Sequence, residues 1–224
     1  MIRLSKRLGC IADFIGENDS VIDIGCDHAL LDIYLAQKSK ERNLLAADIN
    51  ENALKGATRN INKYKLSDYI VVVASNGLEK INTANYNMIV VSGMGAHTIV
   101  GILYSSMKNL NTIDTLIIQS NNELDFLRYK VTKIGYYIFA EKLIEEQGII
   151  YTVIVFKKGK RFYNKKQLLL GPILLKERSE LFKKKNEKEL AKLKIFYSSI
   201  PNRYFRYKLK VYLKMKLYQK NISD

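Results

Sequence analysis

Short apolar runs recur through the first two thirds of the chain, and each is followed by a polar turn and a stretch with helical spacing. The runs at 21–25, 44–49, 70–74, 88–92 and 116–119 are nearly continuous, as strands buried on both faces of a parallel sheet are. Between them, 29–40, 51–64, 95–109 and 122–134 repeat their apolar residues every three or four positions. This alternation predicts a doubly wound α/β sheet. The rhythm changes at 135–159, which reads as two strands joined by a turn around Gln147-Gly148, with no room for a crossover helix.

A second change follows. Residues 171–200 are helical in pattern, Pro201 interrupts them, and 203–220 fit either a helix face (Tyr204, Tyr207, Val211, Met215, Tyr218) or strand alternation (Leu209, Val211, Leu213, Met215, Leu217). The helical neighbourhood favours a hairpin or coiled coil. Charge follows the same boundary. Residues 1–159 carry 18 basic and 17 acidic side chains, whereas 160–224 carry 19 and 5. A compositional bias toward lysine would load both parts alike. A near-neutral domain at 1–159 joined to a basic one at 160–224 instead implies a phosphate-rich partner.

Two cysteines and two histidines give neither a disulfide framework nor a zinc spacing, so no metal is expected. No apolar run approaches the roughly 20 residues of a spanning helix, and no signal core precedes the first charges. The expectation is a monomer in the cytoplasm, away from membranes.

Candidate chemistry gathers at the strand ends. In "DIGCDHA" (23–29), Gly25 closes the first run and leaves its backbone bare, and the following helix turns its amides toward the same spot. A dinucleotide fingerprint would have glycine where Asp27 and Ala29 stand. An acidic turn repels a pyrophosphate and suits a ligand carrying an ammonium or sulfonium group, which points to S-adenosylmethionine (SAM). Asp48 ends the second run, placed to accept hydrogen bonds from a ribose. Asn76-Gly77 follows the third, either as a plain turn or beside the adenine of such a cofactor. Gly93 and Gly95 flank Met94 at the end of the fourth, where a donor and an acceptor must approach closely. Five parallel strands closed by an antiparallel hairpin also suit a SAM-dependent methyltransferase better than a nicotinamide dehydrogenase.

The ordered pieces "LSKRL" (4–8), "DIGCDHALL" (23–31), "NGL" (76–78), "SGMGA" (92–96), "LIIQSN" (116–121) with Leu127-Arg128, "EEQGIIY" (145–151) and "GPILL" (171–175) resemble the bacterial tRNA adenine-22 N1-methyltransferase family. The chain departs from that pattern at Cys26, Asp32, Asn76, Ala96 and Ser120, where Ser, Pro, Asp, Gly and Pro are usual, and Asp48 stands where a Glu is found.

The resemblance implies a Rossmann-like class I methyltransferase domain with a seven-stranded, mostly parallel sheet, and a C-terminal coiled-coil domain that helps hold tRNA. It implies SAM as cofactor and tRNA as partner, with N1 of an adenine in the D-arm as acceptor. The expected cofactor set is Arg7, Asp23, Gly25, Asp27, His28, Asp48, Ile49, Asn76, Gly77, Ser92, Gly93, Met94 and Gly95. Asp27 and Asn121 are the expected catalytic residues, the first steadying a cationic product base and the second meeting the adenine edge. Lys6, Arg128, Lys183, Lys184, Lys185, Arg203, Arg206 and Lys208 are the expected RNA contacts. The alternatives are methylation of another RNA atom or of a small molecule, and a silent RNA-binding protein of the same fold.

Overall fold

The computed structural model describes residues 1–223 and divides into two compact units, one running from Met1 to Phe162 and the other beginning at Tyr163. In the first, seven strands form one sheet: β1 (Val21–Ile24), β2 (Leu44–Asp48), β3 (Ile70–Ala74), β4 (Met88–Met94), β5 (Thr115–Ser120), β6 (Tyr136–Glu146) and β7 (Ile149–Lys158). Their order is β3-β2-β1-β4-β5-β7-β6. The first five are parallel, and β7 runs antiparallel between β5 and β6.

Burial explains why these segments become strands. Every residue of β1 and β5 is buried, so an apolar run there stabilises both faces of the sheet. β3 lies at the edge and leaves Val71 exposed. Helices α1 (Lys6–Ala12), α2 (Leu30–Lys38), α3 (Glu51–Lys63), α4 (Ala96–Ser105) and α5 (Leu124–Lys133) belong to this unit. The helix expected over 95–109 ends at Ser105 and gives way to a 3-10 turn at Met107–Thr112.

Chain order reverses between β1 and β4, since β1 is followed by β2 on one side while β4 lies on the other. In an open α/β sheet, the crevice at the carboxyl ends of strands on either side of such a reversal is where ligands bind. All the strand-end motifs open onto that end.

The second unit contains α6 (Lys165–Leu170), α7 (Leu174–Glu177), α8 (Glu180–Ser199) and α9 (Phe205–Ser223). The continuous helix suggested over 171–200 is interrupted: Arg178 has a positive φ of 45°, and Ser179 caps α8 by accepting from the Phe182 N–H. Residues 205–223 are helical, which resolves the ambiguity between helix and strand. Val211 and Met215 bury against Ile200, Leu190, Leu193 and Tyr197 to make a helical hairpin, while Leu209 and Leu213 stay exposed. No helix among the described residues is long and apolar enough to cross a membrane.

Candidate active site

The turn after β1 is built from strained backbone. Gly25, Asp27 and Ala29 all take positive φ, at 75°, 51° and 53°. Only glycine adopts this region freely, so holding Asp27 and Ala29 there requires surrounding contacts. Asp48 supplies one. Its Oδ2 accepts from the Asp27 N–H (3.3 Å) and its Oδ1 from the Asn50 N–H (2.9 Å), joining the tips of β1 and β2. Each carboxylate oxygen retains capacity for another donor. Beside it Ile49 is 70% exposed, an apolar side chain at the crevice with nothing covering it.

Asp27 itself points outward, 3.7 Å from the His28 ring. That ring lies over Gly56 of α3, where a Cβ would come within 2.8 Å of Nδ1. Met94 reaches from β4 across the floor of the turn and occupies the space a Gly25 side chain would need. Asp23 is buried within β1 and faces the buried Asp32 of α2. Burial and the neighbouring carboxylates raise its pKa well above the ordinary range. Burial likewise raises the Cys26 thiol, keeping it protonated.

Gly77 follows β3 with φ 61° and packs on Ile102 of α4, so its role here includes helix packing. The Asn76 amide donates to Glu79 Oε1 (2.9 Å).

The tips of β4 and β5 hold the densest polar network. Arg7 of α1 donates through Nη1 to Ser92 Oγ and to Gln119 Oε1, both at 2.7 Å, and its guanidinium lies 5.6 Å from the centre of the Tyr151 ring. Gln119 Oε1 also accepts from the Gly93 N–H (3.0 Å), and its Nε2 donates to Asn121 Oδ1 (3.0 Å). Asn121 Nδ2 in turn donates to the Gly93 carbonyl (2.7 Å). Gly93 has φ 83° at a register shift between β4 and β5, so these bonds fix a loop that other residues would strain. Gly95 precedes α4, whose first free amide, that of Ala96, donates to Asn122 Oδ1 (2.9 Å). On the same rim His97 pairs with Glu123 (3.1 Å) and stacks on Phe126.

The structure thus gathers Arg7, Asp27, Asp48, Ile49, Ser92, Gly93, Met94, Gly95 and Asn121 around the strand ends on either side of the reversal. Gln119 and Asn122 were missed, although both fall in or next to the "LIIQSN" stretch. Their partners on β4 and at the start of α4, Gly93 and Ala96, lie 26 residues away, and the pairing of β4 with β5 brings them together.

One expected RNA contact is corrected. Arg128 is 1% exposed in its side chain and pairs with Glu141 at 2.7 Å, so its charge is consumed inside the first unit and cannot meet RNA. Lys6 remains exposed at the start of α1. In the second unit Lys183, Arg203 and Arg206 are exposed, and Lys184 and Lys185 share the first turns of α8 with Lys183. Lys208 donates to the Ile200 carbonyl (3.2 Å) and Asn202 Oδ1 (2.8 Å), stitching the hairpin turn. Among the described residues no group of three or more His, Cys, Asp or Glu is arranged to hold a metal.

Comparison with known proteins agrees with this geometry. Residues 21–221 match the family model TrmK, tRNA (adenine(22)-N(1))-methyltransferase. The tRNA (adenine(22)-N(1))-methyltransferase of Bacillus subtilis is 33% identical over 205 residues, covering 89% of this chain and 86% of that protein. The structure of M. capricolum TrmK with S-adenosyl-homocysteine superposes with a TM-score of 0.86 at 30% identity, covering 98% of each chain. Streptococcus pneumoniae Sp1610 in complex with S-adenosyl-L-methionine superposes at 0.90 with 28% identity, covering 98% of this chain and all of that one. With the strand order, the crevice at the strand ends and a sequence match along most of the chain all in accord, the chain belongs to the tRNA (adenine(22)-N(1))-methyltransferase family.

Proposed function

We propose that the crevice between β1 and β4 binds SAM and that the chain methylates N1 of adenine 22 in the D-arm of tRNA. The observation that carries this reading is the tip of β2. Asp48 is held by two backbone amides with lone pairs to spare, and the exposed Ile49 stands next to it. A carboxylate beside an uncovered apolar surface suits a ribose joined to a flat base.

When bound, SAM supplies a methyl group already activated by its sulfonium. Adenine N1 carries an unprotonated lone pair, so no general base is required. The protein's work is alignment and exclusion of water, and this falls to the rigid network at the β4 and β5 tips. Gly93 and Gly95 keep side chains out of the approach path. The methylated base becomes cationic, and the exposed carboxylate of Asp27, in the turn after β1, is the group assigned to steady that charge. Because N1 lies on the pairing edge, an adenine in a duplex must be turned out of its stack first.

The basic helical unit contributes phosphate contacts through Lys183, Lys184, Lys185, Arg203 and Arg206, with Lys6 on the first unit. The chain acts as a monomer in the cytoplasm, where tRNA is found. The test is nucleoside mass spectrometry of unmodified tRNA incubated with the full chain and SAM. The expected product is 1-methyladenosine at position 22; a methyl group on another atom or position, or none, overturns the reading.

A further inference from the structure

Gln119 is completely buried, yet its side chain meets the crevice through its partners. Its Oε1 receives three donors: the Arg7 guanidinium, the Gly93 N–H and the Ser92 hydroxyl. Turning the amide over would set its NH2 against the guanidinium and the Gly93 amide, so only one orientation is allowed. Nε2 must then face Asn121 and donate to its Oδ1. The carbonyl of Gly93 demands the Asn121 Nδ2 on the other side. Both amides are therefore locked in one sense.

An asparagine amide has two N–H donors and two acceptor lone pairs. The network uses one of each. One donor and one acceptor remain on Asn121, whose side chain is exposed at the crevice. Adenine presents that complement on one edge, an N6 amine beside an N7 acceptor, and asparagine pairs with those two atoms bidentately. Guanine presents two acceptors there and does not match. This edge leaves N1 free.

We infer that Gln119 is a positioning residue that fixes the Asn121 amide to read N6 and N7 of the acceptor adenine while N1 faces the methyl donor. The inference rests on the adenine-N1 reading above and adds the edge and the residues that select the base. It also contributes to the rate. As N1 gains a methyl group, positive charge spreads to the exocyclic amine, whose N–H becomes a stronger donor to Asn121 Oδ1.

The experiment compares tRNA carrying adenosine or 7-deazaadenosine at the target position, with the wild-type chain and Gln119→Glu. The glutamate keeps the acceptor for Arg7, Ser92 and Gly93 but sets an oxygen against Asn121 Oδ1, which releases the lock. Wild type should lose about tenfold to a hundredfold in kcat/KM when N7 is removed, the worth of a bidentate base contact. In Gln119→Glu that penalty should fall to about twofold, with SAM affinity by calorimetry within about threefold of wild type. A readout independent of turnover is the Asn121 side-chain amide in NMR, with one proton protected from exchange in wild type and none in the variant.

Equal turnover of the two substrates by wild type, or an undiminished penalty in Gln119→Glu, overturns the inference while leaving N1 methylation standing. Failure of wild type to methylate any tRNA adenosine overturns both. Should the variant not fold, the wild-type substrate comparison and the protected Asn121 proton decide alone.

Discussion

Asp23 on β1 and Asp32 on α2 face each other carboxyl to carboxyl in the interior of the first unit. Neither oxygen of Asp32 receives a well-formed hydrogen bond from an N–H or O–H donor. Burial raises both above the ordinary carboxylate range, with Asp48 pushing Asp23 further in that direction and Arg7 opposing. A folded-state pKa above the unfolded one stabilises the protein fully below about pH 4, and that contribution is lost as pH rises through the folded value. Asp32→Asn places an amide donor against Asp23 and replaces one of the two facing carboxyls with a group that cannot ionise. It should raise stability at pH 8 by about 1–3 kcal/mol, with the gain closing toward pH 5. Urea unfolding of both proteins across that range checks it; a gain that does not change with pH would mean the pair does not titrate.

Gly25 has a left-handed backbone, and Met94 lies where its side chain would be. Gly25→Ala should cost about 1–2 kcal/mol from backbone strain, a cost folding survives. SAM affinity should fall about tenfold or more, because the added methyl group must push Met94 into the crevice. Calorimetry and thermal unfolding separate the two effects. Unchanged SAM affinity would remove the turn from the cofactor site.

Arg128 and Glu141 form a buried ion pair. Removing the cation leaves a carboxylate uncompensated, so Arg128→Ala should destabilise by about 3–5 kcal/mol, and Arg128→Met with Glu141→Leu should recover most of it. At temperatures where the single variant stays folded, its tRNA affinity should match wild type. The denaturant midpoints of the single and double variants decide.

The exposed cations of the second unit invite a salt titration. Neutralising Lys183, Arg203 and Arg206 together should lower the slope of log affinity for tRNA against log salt by about 2–3, close to one for each phosphate that no longer meets a cation. SAM binding should be untouched. Fluorescence anisotropy between low and moderate salt measures the slope, and an unaltered slope would exclude these three side chains from the RNA interface.

The sheet was legible because nearly continuous apolar runs such as 21–25 and 116–119 have few other homes, and the strand-end turns because Gly25 and Asp48 announce them. The helical hairpin was half legible: Val211 and Met215 suit either period, and only their burial against Leu190 and Leu193 selects the helix. Arg128 was misread since a cation on an amphipathic helix looks solvated until a strand partner such as Glu141 is known. Gln119 was invisible for a related reason. Its partner Arg7 lies 112 residues earlier, and no local pattern encodes a hydrogen bond of that range.

Strand β7 is made after β6 yet takes the place between β6 and β5. Until Ile149–Lys158 emerges from the ribosome, the fully buried β5 has an open flank of unsatisfied amides and carbonyls. A chain truncated near residue 147 and released would therefore be a template for intermolecular strand addition. Synthesis of the last hairpin arm closes that flank and moves the edge of the sheet from β5 out to β6.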